Sequence, residues 1–180
     1  MVPGGTRDPT PVVADLPAHG SDASFHAGDQ AGATRVARTL AATPYEGPRM
    51  AMHTAMGARF PKDAGDAAEG WEFVSPCVGA AAPAAKEFAA AHRKKCDGAP
   101  ARWAAEAYDA VGLTADAARD TSATGAEREG IAQRLFRTTH PGITRTVSFY
   151  ANRQVRYETG IHLYRVENGR ARFLGPYTEV

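Results

Sequence analysis

Ser24-Phe25-His26-Ala27-Gly28-Asp29-Gln30 and Arg49-Met50-Ala51-Met52-His53-Thr54 decide the fold. The first stretch is a short β-prone run that ends in a glycine and a carboxylate. A helical pattern follows at once. Val36 and Leu40 lie four apart, with Ala33 and Ala37 beside them, which is the spacing of one helix face. Pro44-Tyr45-Glu46-Gly47-Pro48 stops that helix, since proline breaks the ladder and glycine permits the turn. The second stretch repeats the design, a short strand ending in His53-Thr54. Phe60 to Ala68 reads as a short helix, or as two turns split at Gly65. Trp71-Glu72-Phe73-Val74 alternates large apolar and polar residues, so it is a third strand. Strand, helix, strand, helix, strand implies parallel pairing. We expect parallel strands near residues 22–27, 49–52 and 71–75.

The rest of the chain changes character twice. Pro83 opens a helix that runs to about Lys95, and helices follow near 101–118 and 126–138. The second carries a stripe of Trp103, Ala104, Ala107, Tyr108 and Val111. The third carries Ile131, Leu135 and Phe136. Both stripes need a covering surface, and we read Trp103 and Tyr108 as core. Arg145 to Phe149 then reads as a strand. Ile161 to Leu174 is a hairpin around Asn168-Gly169, the strongest short-range hairpin signal. Residues 1–20, with prolines at 3, 9, 11 and 17, read as a loose segment with a strand at Val12-Val13.

Composition excludes several function classes. Lys and Arg number 21 against 20 Asp and Glu, so no polyanion partner and no nucleic acid is implied. Arg93-Lys94-Lys95 reads as a solvated helix end, where cations complement the dipole. No apolar run approaches the roughly 20 residues that span a bilayer. The amino terminus as written shows no basic and apolar secretion signal. Cys77 and Cys96 have no ligand partners at zinc spacing. A bridge between them stays open for an exported chain, although a helix of about 12 residues in between would carry Cys96 roughly 18 Å along its axis. No catalytic triad, phosphate loop or metal motif is present. We expect no cofactor, no metal, no catalytic residue and no enzyme. Glu106 and Asp109, three apart, read as a solvated helix face.

Four pieces in order carry a resemblance. They are Phe25-His26-Ala27-Gly28-Asp29 before a helix, Ala64-Gly65-Asp66-Ala67-Ala68-Glu69-Gly70 before a strand, Ala105-Glu106-Ala107-Tyr108-Asp109-Ala110 within a helix, and a closing stretch. The closing stretch is Gly142-Ile143-Thr144, Val147-Ser148-Phe149, then Leu163 to Arg170. Together they resemble the C-terminal half of the branched-chain amino-acid (Leu/Ile/Val) substrate-binding proteins of ABC importers, which are type I periplasmic binding proteins. The match runs from about Ser21 to Gly175. The resemblance implies an α/β fold of two lobes joined by hinge crossings and closing on a ligand, here truncated relative to the family. It implies a lobe-two-like part at 21–76, lobe-one-like helices at 77–146 and return strands at 147–180. It also implies a small amino-acid-like ligand, an ABC permease as partner and an extracytoplasmic location. Translated as written, without a leader, the chain would be cytoplasmic. The uncovered helix faces would offer a route to self-association. The alternative is a ligand-sensing domain of a larger signalling protein with the same fold.

Ligands of open parallel sheets bind beyond the carboxyl ends of the strands, where helix N-termini offer free N–H groups and partial positive charge. Gly28, Asp29, His53 and Thr54 lie at such ends and are the ligand-binding candidates. Asp29 matches the family position where a ligand-contacting side chain sits. It is equally placed to cap the following helix. His53 and Thr54 fall near a family position that often carries an acidic contact, and that acid is absent here. The family's turn after the strand near 147 also differs, since Tyr150-Ala151-Asn152-Arg153 stands in its place.

Overall fold

The computed structural model describes residues 8–121, 128–158 and 160–180. It divides into two compact units. One comprises the chain up to Ser75 together with His162–Val180, and the other is Pro76–Ile161.

The first unit is built on a five-stranded sheet. Its strands are β1 (Ser24–His26), β2 (Arg49–Met52), β3 (Glu72–Ser75), β6 (His162–Glu167) and β7 (Arg170–Pro176), in the order β1-β2-β3-β6-β7. The first three are parallel, as the sequence predicts, and β6 and β7 add antiparallel. One row of the register runs His26, Ala51, Phe73, Tyr164, Phe173. Side chains alternate across a sheet, so this row faces the helices. There it meets α2 (Gln30–Ala41), through Ala33, Ala37 and Leu40, and α3 (Arg59–Ala64), through Phe60. A 3-10 turn, Gly65–Ala68, continues α3. Phe60 is fully buried and meets both Trp71 and Phe73 edge-on, with ring centroids 5.6 and 5.4 Å away.

The turn of the β6–β7 hairpin is closed as Asn-Gly requires. Asn168 and Gly169 take φ of 52° and 71°, both in the left-handed region that matches the twist of the strands. The Glu69 carboxylate accepts the Asn168 and Gly169 N–H groups at 3.0 and 2.6 Å. The tip is thus tied to the end of the 3-10 turn almost 100 residues earlier.

One segment corrects the sequence reading. Residues 10–18, expected to be loose with a strand at Val12-Val13, form the helix α1 (Thr10–Ala18). Proline is compatible with a first helical turn, where its missing N–H costs no bond. Val13 is buried in the core, and that packing outweighs the β preference of two valines.

The second unit carries α4 (Lys86–Cys96), α5 (Ala104–Thr121), α6 (Arg128–Leu135) and a small antiparallel ribbon, β4 (His140–Pro141) with β5 (Thr146–Val147). Residues 126 and 127 of the expected third helix lie outside the described residues. The strand expected over Arg145 to Phe149 is only Thr146–Val147, followed by a lone bridge from Phe149 to Val155. Arg93, Lys94 and Lys95 are exposed in the last turn of α4.

The buried face of α5 is not the one its apolar stripe suggests. Ala105, Asp109, Leu113 and Ala117, each four apart, are buried, whereas Trp103, Tyr108 and Val111 are 45%, 60% and 70% exposed. Trp103 and Tyr108 are therefore not core. Asp109 and Glu106 are not a solvated pair either. Asp109 is 2% exposed, and its carboxylate accepts Ile143 N–H at 2.7 Å, Thr144 N–H at 2.8 Å and the Thr144 hydroxyl at 2.7 Å. A carboxylate with three donors can be buried at tolerable cost. The loop at 142–144 supplies them, which a helical wheel cannot show. Just past the end of α6, Phe136 is covered within the unit, by Phe149 at 5.2 Å between centroids. Cys77 is buried and Cys96 exposed, and both are free thiols, so the open bridge is not formed.

Truncating the ring at the centre of the first unit gives a direct check on this packing. Phe60→Ala should cost about 3–5 kcal/mol, read as a fall in the urea midpoint with little change in slope.

Candidate functional site

The parallel register brings the carboxyl ends of β1 and β2 side by side. His26 pairs with Ala51, so the turns after them, Gly28-Asp29 and His53-Thr54, open on the same edge of the sheet. They are joined directly. The Thr54 hydroxyl donates to the Gly28 carbonyl at 2.6 Å. The His53 N–H donates to the Val74 carbonyl at 2.9 Å, which ties the second turn to the end of β3. Asp29 is the N-cap of α2, with φ −84° and ψ 174°, and its Oδ1 accepts the Gly32 N–H at 2.7 Å. The cap role is thus filled. The second carboxylate oxygen of Asp29 has no hydrogen-bond partner among the described residues. Asp29 and Thr54 are exposed, and Gly28 and His53 are half-buried.

His26 also belongs here, although the sequence offered no reason to choose it among scattered histidines. Its Nε2 lies 3.2 Å from the Asp29 carbonyl. Its ring fills the space beside two glycines. A Cβ at Gly28 would sit 2.5 Å from His26 Nε2, and one at Gly32 would sit 3.0 Å from its Cε1. The turn is thus shaped by a histidine over two side-chain-free residues. The one signal in the sequence was the pair of glycines two and six positions after it.

This edge can do recognition. It offers a carboxylate at a helix N-terminus, a hydroxyl, an imidazole and backbone N–H groups. Such a set can hold a ligand that carries both a cation and hydrogen-bonding atoms. A concavity of about 450 Å3 lies elsewhere, on α5, lined by Ala110, Val111, Thr114, Ala115 and Ala118. It is one open helix face with a single hydroxyl, so it lacks the convergent polar groups of a ligand site. Among the described residues, no three His, Cys, Asp or Glu side chains converge to hold a metal.

A second polar pair lies in the other unit. His140 Nδ1 is 2.7 Å from Asp116 Oδ2, and the ring packs where a Cβ at Gly112 would be 2.7 Å away. The hydrogen bond to His140 holds the Asp116 carboxyl below its ordinary 3.8. A depressed carboxyl stabilises the fold above its ordinary value, and that contribution is lost as pH falls through the depressed one. Asp116→Asn should therefore flatten the acid limb of stability below about pH 4, as read from urea midpoints across that range. At the candidate edge, Asp29→Ala should lower stability by about 1 kcal/mol through loss of the cap, and Asp29→Asn by much less. Chemical denaturation of both variants checks this.

The chain matches the family model of the periplasmic binding protein over residues 1–171. No curated protein matches it. Among solved structures it is similar to a protein assigned as a branched-chain amino acid ABC transporter from Rhodospirillum rubrum, at 25% identity and TM-score 0.82, covering 96% of this chain and 50% of that one. It is similar to the leucine-binding protein LivK of Thermotoga maritima, at 22% identity and TM-score 0.77, covering 99% and 51%. It is also similar to LivJ of Streptococcus pneumoniae, solved with isoleucine, at 23% identity and TM-score 0.71, covering 97% and 51%. The chain thus spans about half the length of the solved structures it matches. A family match over nearly the whole chain, on an α/β fold shared with these proteins, places it: the chain belongs to the periplasmic binding protein family.

Proposed function

We propose that this chain is part of an amino-acid-binding module of an ABC importer, and that it recognises its ligand rather than transforming it. The observation that carries the proposal is the pair of linked turns at one sheet edge, Gly28-Asp29 and His53-Thr54, joined by the hydrogen bond from Thr54 to Gly28. Solved relatives of the same fold include proteins in complex with isoleucine and with leucine. On this reading Asp29 receives the ligand's ammonium group on the oxygen that the cap leaves over. His53 and Thr54 contribute hydrogen bonds, and Gly28 holds the two turns together, its carbonyl accepting the Thr54 hydroxyl and its missing side chain leaving room for the His26 ring. The partner is an ABC permease, and the location is extracytoplasmic. Residues 21–76 are the lobe-two-like part, 77–146 supply lobe-one-like helices, and the chain returns over 147–180.

One edge supplies part of a cleft. A micromolar site is worth about −8.2 kcal/mol, and half of that is about 1 mM. Calorimetry on the chain alone should find no micromolar affinity for leucine, isoleucine or valine. Such an affinity in the monomer would contradict the proposal. When the chain is joined to the half of a relative that it does not span, Asp29→Asn should weaken binding about tenfold or more. A charge-assisted bond is worth roughly 1.5–3 kcal/mol, while Asn retains the cap. His53→Ala should act in the same direction and less. Unchanged affinity in Asp29→Asn would leave Asp29 as a cap alone.

A further inference from the structure

The second unit has two ends through which it joins the rest of the chain, at Pro76 and at Ile161. A charged side chain of the same unit lies close to each. Two residues in from the first end, the buried Val78 N–H donates to Glu106 Oε1 at 2.6 Å. One residue in from the second, the Arg145 guanidinium occupies the space beside Gly160 where any Cβ would overlap it. We propose that Glu106 and Arg145 form a brace that fixes both ends of this unit, Glu106 by holding the Val78 amide and Arg145 by packing over Gly160. The proposal does not rest on the ligand reading.

The brace is costly to the fold, and that makes it recognisable. Glu106 Oε2 is shielded from solvent with no hydrogen-bond partner among the described residues. Burial pushes the Glu106 carboxyl above its ordinary 4.5. The Val78 hydrogen bond and the backbone N–H of Glu106 itself pull it back, Asp109 on the same helix pushes it further up, and Arg145 lowers it least. A raised carboxyl subtracts from stability when it is ionised. That loss disappears as pH falls below its ordinary value. The charged form nevertheless gives the stronger bond to Val78, because charge-assisted hydrogen bonds exceed neutral ones. Local hold and global stability therefore move in opposite directions when Glu106 loses its charge. A side chain that merely supports the fold would move both together.

Hydrogen exchange of the full chain tests this. In Glu106→Gln at neutral pH, the Val78 amide should exchange about fivefold faster while the melting temperature holds or rises. Unchanged exchange at Val78 would overturn the proposal, and so would uniformly faster exchange with a lower melting temperature. The unaltered chain gives a second arm that needs no variant. The exchange rate of Val78 is corrected for its intrinsic pH dependence and divided by that of Ala82 or Ala85, whose amides bond backbone carbonyls at 2.9 and 3.0 Å. This ratio should rise as Glu106 is protonated, and a flat ratio overturns the proposal. In Gly160→Ala, whose Cβ would overlap the guanidinium, the melting temperature should fall, and Arg145→Ala in the same chain should relieve that loss. No fall, or no relief, overturns the role of Arg145.

Discussion

The pairing of Ala51 with His26 on one side and Phe73 on the other is the constraint on which the first unit depends. Parallel pairing makes the strands end together, so the turns that follow them share an edge. The small side chain of Ala51, fully buried, leaves room for the helices to close on the sheet. Shifting β2 by one residue would exchange its buried and exposed faces. It would bring Met50 or Met52 to the core and break the alignment of His53-Thr54 with Gly28-Asp29. Core packing and the candidate site therefore rest on one register.

The second unit is organised by buried carboxylates. Asp109 gathers the 142–144 loop onto α5 with three hydrogen bonds. Gly142 permits this approach, since a Cβ there would sit 2.5 Å from Asp109 Oδ2. One turn earlier on the helix, Glu106 holds Val78. The two acids differ in how they are satisfied. Asp109 has donors for both oxygens, whereas one oxygen of Glu106 has none among the described residues. A satisfied buried carboxylate supports a fold, and a half-satisfied one stores a charge-dependent cost.

Much of the first unit was legible because its signals are local. The turn residues Pro44 to Pro48, the alternation of Trp71 to Val74 and the Asn168-Gly169 pair each specify backbone geometry within a few residues. The split at Gly65 was readable for the same reason, with φ of 61° in the structure. What could not be read depends on partners far along the chain. Asp109 looked solvated because its donors lie 34 and 35 residues away. Trp103 and Tyr108 looked like core because size and spacing stand in for burial only when the covering surface is known. At the candidate site, the cap by Asp29 follows from its position before a helix. The packing of His26 over Gly28 and Gly32 does not, since nothing in the spacing says which way the ring turns.

The sheet edge at Gly28-Asp29 and His53-Thr54 is the proposed recognition surface. Amide chemical shifts of the chain, followed by NMR as leucine or isoleucine is added to millimolar concentrations, test it most directly. If the ligand binds there, weak, saturable shifts appear at residues 28–30 and 53–54, with the rest of the chain unmoved. Saturable shifts confined to α5 or α6, or none at the sheet edge, would contradict it.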